Sequence, residues 1–328
     1  MIHEECGVFG IWGPEGTEAA AATYYGLFSL QHRGQESCGI AVNHQGDVHV
    51  YKDMGLVSEV FSQPTLDTLI GRAAIGHVRY STTGQSIREN AQPLVTRYSK
   101  GTLALAHNGN LANTNLLRNQ LEEQGAIFQT TIDSEVIAYL IARYRSQTNS
   151  VEEAVSLTMS HLEGAYCLLV LSRGKLVAAR DPLGFRPLCI GQLGEAYVFA
   201  SESCALDTVG ATFVRDVEPG EIVIVDRDGL RSLRSQCRGR WPRRGGRRLR
   251  RRRHRRGGRL APGGGGRDGH RRQDGTAGRG RQTPHRDGRG RGRDSPRPPG
   301  NRRGPPERHR HRRGARAPPA SATIPQKA

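Results

Sequence analysis

The sequence predicts an α+β fold with antiparallel sheets over residues 1–235, followed by a disordered basic tail. Three observations lead there. Strand-type and helix-type stretches alternate up to Leu162 and then give way to closely spaced strands, a segregation that suggests an α+β layered domain with antiparallel sheets. Turn signals at Ser172-Arg173-Gly174, Gln192–Gly194 and Pro219-Gly220 punctuate that strand run. After Arg234 the texture breaks into Arg, Gly and Pro with no apolar period.

Residues 6–12, CGVFGIW, form an apolar run of strand type. A helix is expected over 18–30, where Ala, Tyr and Leu recur at helical spacing and Thr17 can cap the start. Residues 38–43 and 48–52 read as a hairpin around Gln45-Gly46-Asp47. Further strands are expected at 73–77 and 102–107. Helices follow at 113–124, closed by Gly125, at 134–145, with a stripe of Val136, Ile137, Leu140 and Ile141, and at 151–162. Strands are then expected at 165–171, 175–180, 188–191, 196–200, 214–217 and 221–226. A domain of about 235 residues is long enough to bury a proper core.

The 328 residues carry a formal charge of +18, but unevenly. Residues 238–328 hold 30 Arg, one Lys and five acids, a net +26, which leaves −8 on residues 1–237. The basic segment cannot bury enough apolar surface to offset its ordering entropy, so disorder is expected over 236–328. Three readings of that tail stand: a frame-shifted translation of a GC-rich gene, which yields Arg, Gly, Pro and Ala; an RNA-binding arginine-rich arm; and an inert solvated tail. The abruptness of the change favours the first. Trp241 is the tail's one aromatic, so base stacking is weakly supported.

No apolar run approaches the roughly 18 residues of a membrane span, and the acidic start MIHEEC lacks the apolar core of a secretory signal. Six cysteines in a leaderless chain suggest free thiols and a cytoplasmic location. None are spaced as CxxC, so no metal site is expected. Cys38, Cys167, Cys189 and Cys204 are read as core residues.

Chemistry concentrates in six blocks. Cys6 in EECGVFG is either a small buried hydrophobe or, with residues 1–5 removed as a propeptide, an N-terminal nucleophile. Its freed α-amine, with a pKa of about 7.7–8.0, would then serve as base for a thiol of about 8.5. LQHRGQESCGIA contains Arg33. In GHVRYSTTG, a strand ending in Arg79 leads into Tyr80, Ser81, Thr82, Thr83 and Gly84, a hydroxyl-rich loop; Arg79 is either a surface Arg in a polar turn or a carboxylate-binding cation. Asn108-Gly109 in AHNGNLAN is either a turn or a pair of donors aimed at one oxyanion. Asp133 in TTIDSEV is either an N-cap or a partner for a substrate ammonium. Arg180, Asp181 and Arg186 in RDPLGFRPLCIG are as consistent with structural ion pairs as with substrate contacts.

Taken together and in this order, these blocks resemble the class II (N-terminal nucleophile) glutamine amidotransferases over residues 1 to about 233. The forms are most similar to the branch whose glutaminase domain feeds ammonia to a phosphoribosyltransferase domain in de novo purine synthesis. The resemblance implies a four-layer αββα sandwich over 6–235. It implies that Cys6 is the nucleophile, freed by self-cleavage after Glu5, and that Asn108 and Gly109 form the oxyanion hole. Arg79 would hold the glutamine α-carboxylate, Asp133 its α-ammonium, and Arg33 would lie by the catalytic N-terminus. The segment from Arg79 to Gly84, with Tyr80, Ser81 and Thr82, would close over glutamine.

The resemblance implies no cofactor for the glutaminase domain. It implies Mg2+ and, in the propeptide-bearing branch, a [4Fe–4S] cluster for the second domain, and a homotetramer for the whole. Residues 238–328 contain nothing like a phosphoribosyl pyrophosphate loop, and Cys237 stands alone near the first cluster position in a sequence that no longer fits. Glutamine hydrolysis is therefore the expected limit of this chain's activity. Two other readings remain: an inactive glutaminase-like module that binds RNA through its tail, and a regulatory domain that keeps its first five residues.

Overall fold

The computed structural model describes residues 6–80 and 85–234. The expected propeptide, Ser81 to Gly84, Cys237 and the tail lie outside the described residues. The elements run β1 (Gly7–Trp12), α1 (Ala19–Ser29), β2 (Ser37–His44), β3 (Asp47–Met54), α2 (Val57–Val60), α3 (Gln63–Asp67), β4 (Ala73–Arg79), β5 (Leu94–Tyr98), β6 (Gly101–Leu111), α4 (Thr114–Glu122), α5 (Asp133–Arg145), α6 (Val151–Met159), β7 (Gly164–Leu171), β8 (Leu176–Arg180), β9 (Cys189–Leu193), β10 (Ala196–Ala200), α7 (Ser203–Thr208), β11 (Thr212–Asp216), β12 (Ile222–Asp226) and β13 (Gly229–Leu233).

Two antiparallel sheets result, in the orders β11-β9-β10-β1-β4-β2-β3 and β13-β12-β8-β7-β6-β5. Side chains alternate between the faces of a strand, and the alternation sorts the apolar residues into three cores. In β1, Phe9 and Ile11 pack outward with Leu27 and Leu30 around α1, while Val8 and Trp12 face the second sheet. In β7, Leu168 and Val170 meet Val136, Ile137 and Val155 of α5 and α6, while Cys167 and Leu169 face the first sheet. Between the sheets lie Ile75, Ala104, Ala106, Phe199 and Val223. Strands covered on both faces need apolar residues at every position, which is why β1 and β7 read as continuous runs rather than alternating ones. The result is the expected αββα order.

Several boundaries differ from the sequence reading, each for a local reason. Thr17 does not cap α1: its hydroxyl donates to the Pro14 carbonyl at 2.8 Å, and the helix begins at Ala19. Asp133 is the first residue inside α5, after the N-cap Ile132, so the capping reading of Asp133 is incorrect. Cys38, Cys167 and Cys189 are buried, whereas Cys204 is only partly so. The strands β5 and β13 were not expected; half-exposed edge strands carry too few apolar residues to stand out. The hairpin turn is shorter than expected, since Asp47 already belongs to β3.

One buried charge ties the sheets together away from the site. Glu221, just before β12, accepts from both Nη atoms of Arg215 in β11 at 2.8 and 2.9 Å, from the Glu218 N–H at 2.7 Å and from the Ser232 hydroxyl of β13. Burial works to raise its pKa, but these donors outweigh it and hold the carboxyl down at about 2. The folded value lies below the ordinary one of 4.5, so the contribution to stability is complete above that pH and is lost as pH falls toward 2. Arg215→Leu is expected to cost about 1.5–3 kcal/mol in urea unfolding at pH 7. The penalty should shrink in acid, where Glu221 protonates in both proteins.

Candidate active site

Because β1 runs antiparallel to β4, the start of one meets the end of the other: Gly7 pairs with Val78, and Ser37 of β2 pairs with Arg79. That corner gathers residues remote in sequence. The Cys6 thiol donates to the Tyr80 carbonyl and receives the Tyr80 N–H, each at 3.4 Å. Cys6 adopts φ +62°, the left-handed region that a residue with a side chain seldom takes and that costs about 1–3 kcal/mol. Arg33 holds it there. The Cys6 N–H donates to the Arg33 carbonyl at 2.9 Å, and Arg33 Nε donates to the Cys6 carbonyl at 2.7 Å. Arg33 is 2% exposed, and its guanidinium is ion-paired with Glu202 beside His32. Burial pushes the Cys6 thiol up to about 11, against the Tyr80 hydrogen bond and the charges of Arg79 and Arg186, which favour the thiolate. With its leader attached, Cys6 is a protonated thiol at neutral pH.

Arg79 closes β4, buried, with its guanidinium on Glu36 and within reach of the Gln85 carbonyl at 3.4 Å. Tyr80 is 53% exposed and hydrogen-bonds the thiol through its backbone.

The second sheet supplies the other wall. Asn108 and Gly109 lie inside β6, paired with Cys167 and Tyr166 of β7, and not in the turn that Asn-Gly suggests. Gly109 has φ +153°, and a Cβ there would sit 2.1 Å from the Ala165 carbonyl oxygen. Asn108 is fully buried, and its Nδ2 donates to Ser201 Oγ at 3.4 Å. Ser201 in turn accepts from the Val8 N–H at 2.9 Å, so one hydroxyl joins Asn108 to the strand that follows Cys6.

Asp133 stands at the start of α5 with Oδ2 accepting from the Leu111 N–H at 3.0 Å and Oδ1 3.5 Å from His107 Nδ1. Burial works to raise its pKa; the His107 ring and the N–H donors of Leu111 and Ser134 outweigh it and hold the carboxyl below the usual range. A buried carboxylate kept ionised is poised to receive a cation.

Among the described residues Arg180, Asp181 and Arg186 form no ion pairs, which were one reading of them. Arg180 donates to the carbonyls of Arg186, Val217 and Gly184, and Asp181 accepts the N–H groups of Leu183, Phe185 and Arg186. The loop they knit carries Arg186 to where its charge reaches Cys6. Glu36, Ser201 and Glu202 also belong to this corner and had no signal in the sequence, since each acts through a partner many residues away. Among the described residues no group of three or more His, Cys, Asp or Glu is arranged to hold a metal. The described cysteines form no such group and do not fit the cluster that the resemblance implies for longer chains. A cavity of about 600 Å³ opens at the opposite end of β1, lined by Trp12, Ile70 and Arg72, remote from Cys6.

The two-sheet fold is the one expected of N-terminal-nucleophile glutamine amidotransferases, and residues 77–208 match the family model described as "Glutamine amidotransferase domain". Among curated proteins the chain is 51% identical over 234 residues to the amidophosphoribosyltransferase of Bacillus subtilis, covering 71% of this chain and 48% of that protein. It is 50% identical over 224 residues to that of Methanocaldococcus jannaschii, covering 68% and 47%. Among solved structures it superposes on the glutamine phosphoribosylpyrophosphate amidotransferase of B. subtilis, complexed there with ADP and GMP. The TM-score is 0.65 at 50% identity, over 70% of this chain and 49% of that one. Over this region the chain is similar to the glutamine amidotransferase part of the amidophosphoribosyltransferases. It spans about half the length of the curated relatives it matches.

Proposed function

We propose that residues 6–234 hydrolyse glutamine to glutamate and ammonia, with Cys6 as nucleophile, and that the ammonia serves phosphoribosylamine formation in purine synthesis. The observation that carries this is the state of Cys6: a thiol in a strained left-handed backbone, clamped by Arg33, between the end of β4 and the cations Arg79 and Arg186.

Removal of residues 1–5 turns the Cys6 amide into an α-amine, which takes the thiol proton. The thiolate attacks the side-chain amide carbon of glutamine, and the oxyanion is received by Asn108 and Gly109. Ser201 supports the Asn108 role: its oxygen accepts the Val8 N–H, so its own hydrogen can donate to Asn108 Oδ1, which has no partner in the present amide orientation. Turning that amide over satisfies Oδ1 and frees Nδ2 for the oxyanion. The tetrahedral adduct collapses, ammonia leaves with the proton returned by the α-amine, and water cleaves the thioester to glutamate. Arg79, its plane fixed by Glu36, takes the α-carboxylate, and Asp133 takes the α-ammonium. Tyr80, Ser81 and Thr82 complete the closing segment, the last two outside the described residues.

No described helix is long and apolar enough to cross a membrane, and purine synthesis implies a cytoplasmic site of action. The RNA reading has no described residue to support it. Two measurements test the proposal together. Amino-terminal sequencing of the purified chain is expected to begin at Cys6, and that material to release ammonia from glutamine. A chain that keeps Met1 or Ile2 and releases no ammonia overturns it.

A further inference from the structure

β6 loses its neighbour just before the reacting corner. β5 pairs with it from Tyr98↔Gly101 to Leu94↔Leu105, and the strand ends there. Continued by one step on the same face, that register would place residue 92 opposite residue 107. The Gln92 side chain stands in for the missing strand. Its Oε1 accepts the His107 N–H at 2.8 Å, and its Nε2 donates to the His107 carbonyl at 3.4 Å. A primary amide offers the same donor and acceptor as a peptide group, so the ladder continues through a side chain.

The same carbonyl has a second donor. His77 of β4 reaches across from the other sheet, with Nε2 3.0 Å from the His107 oxygen. A carbonyl can only accept, so Nε2 carries the hydrogen; Nδ1 is buried without a partner. Burial drives this ring down to about 3, and it is neutral at physiological pH. His77, Gln92 and His107 are all buried. Gly39 of β2 lies so close that a Cβ there would come within 2.3 Å of the Gln92 carbonyl oxygen, so Gln92 is held from behind as well.

The His107 carbonyl and the Asn108 N–H share one rigid peptide plane. Three hydrogen bonds to the His107 backbone therefore fix the direction in which Asn108 and Gly109 are presented. We infer that Gln92 and His77 are positioning residues for the oxyanion donors, a side-chain splice that holds the His107–Asn108 peptide where β5 no longer can. This rests on the reading of Asn108 and Gly109 as those donors.

Misplacing a catalytic group by about 1 Å can cost on the order of 10²-fold in rate. In Gln92→Leu and His77→Leu, kcat for glutamine is expected to fall by up to that factor. KM should move less than about threefold, because Arg79 and Asp133 are untouched. His77→Gln, whose amide nitrogen can reach the position of Nε2, should recover most of the loss. Rates are normalised to sites labelled at Cys6 by 6-diazo-5-oxo-L-norleucine, which removes any misfolded fraction. Amide hydrogen exchange over residues 105–112 is read in the same full-length proteins, and faster exchange in the leucine variants is expected. Unchanged kcat per labelled site in an active protein, or wild-type exchange at 105–112 in both leucine variants, overturns the inference. A wild-type chain that makes no ammonia defeats the glutaminase reading instead, and the exchange measurement still decides whether the splice holds β6.

Discussion

Cys6→Ala is expected to reduce ammonia release from glutamine to background. Removing the nucleophile of a comparable acyl-transfer enzyme costs on the order of 10⁶-fold in kcat, and no other described thiol can substitute. Cys38, Cys167 and Cys189 are buried in the packed layers, with burial pushing Cys38 and Cys189 up to about 12. Cys204, the partly exposed one, sits in α7 with its thiol toward Glu202. The substitution removes a single sulfur whose contacts are two 3.4 Å hydrogen bonds to Tyr80, so the fold should persist. Thermal unfolding separates the two effects: loss of activity with a near-normal melting temperature supports the assignment. The same ammonia rate in the alanine variant as in the parent refutes it and removes the basis for every other role proposed at this corner.

Gly109→Ala should damage both stability and rate, by a different route. The new methyl would lie 2.1 Å from the Ala165 carbonyl oxygen and 2.7 Å from Tyr166 Cα, both backbone atoms of β7 that cannot rotate aside. At φ +153° an alanine is strained even where there is room. β6 and β7 must therefore part at the pair Gly109↔Tyr166, one residue from Asn108. The expected stability loss is about 1–3 kcal/mol, from overpacking and a disfavoured backbone. The expected loss of kcat is about 10²–10³-fold, that of a missing oxyanion donor. Urea unfolding and steady-state kinetics check the two parts. A stable variant with parental kcat would show that Gly109 has no place in the chemistry.

Much of this corner was legible because its residues sit in short motifs. Cys6 precedes β1, Arg79 closes β4, Asn108 and Gly109 lie inside β6 and Asp133 opens α5, all elements whose type the apolar pattern reveals. What the pattern could not show is how the strands close on one another. Asn108-Gly109 looks like a turn because turns favour that pair. It lies in mid-strand because β7 approaches too closely at Gly109 for any other residue. Asp133 looks like a cap because caps favour aspartate; a carboxylate already bonded to the Leu111 N–H has no need to cap its own helix.

The partners were less legible still. Arg33 pairs with Glu202 across 169 residues, and Asn108 with Ser201 across 93. Gln92 carries no signal of its own, since a lone glutamine beside a proline suggests a loop. Its function depends on β5 stopping two residues short of it.

The residues in order determined the layer composition and the motifs that carry the family resemblance, because apolar period and motif spacing are local properties that survive in a linear string. Only the tertiary structure decided which donors and charges meet: the strained Cys6 against Tyr80, the carboxylate of Asp133 kept ionised, and a glutamine side chain completing a ladder. Each of these is a relation between separated segments, set by how antiparallel strands of two sheets bring their ends to one corner and exclude water from it.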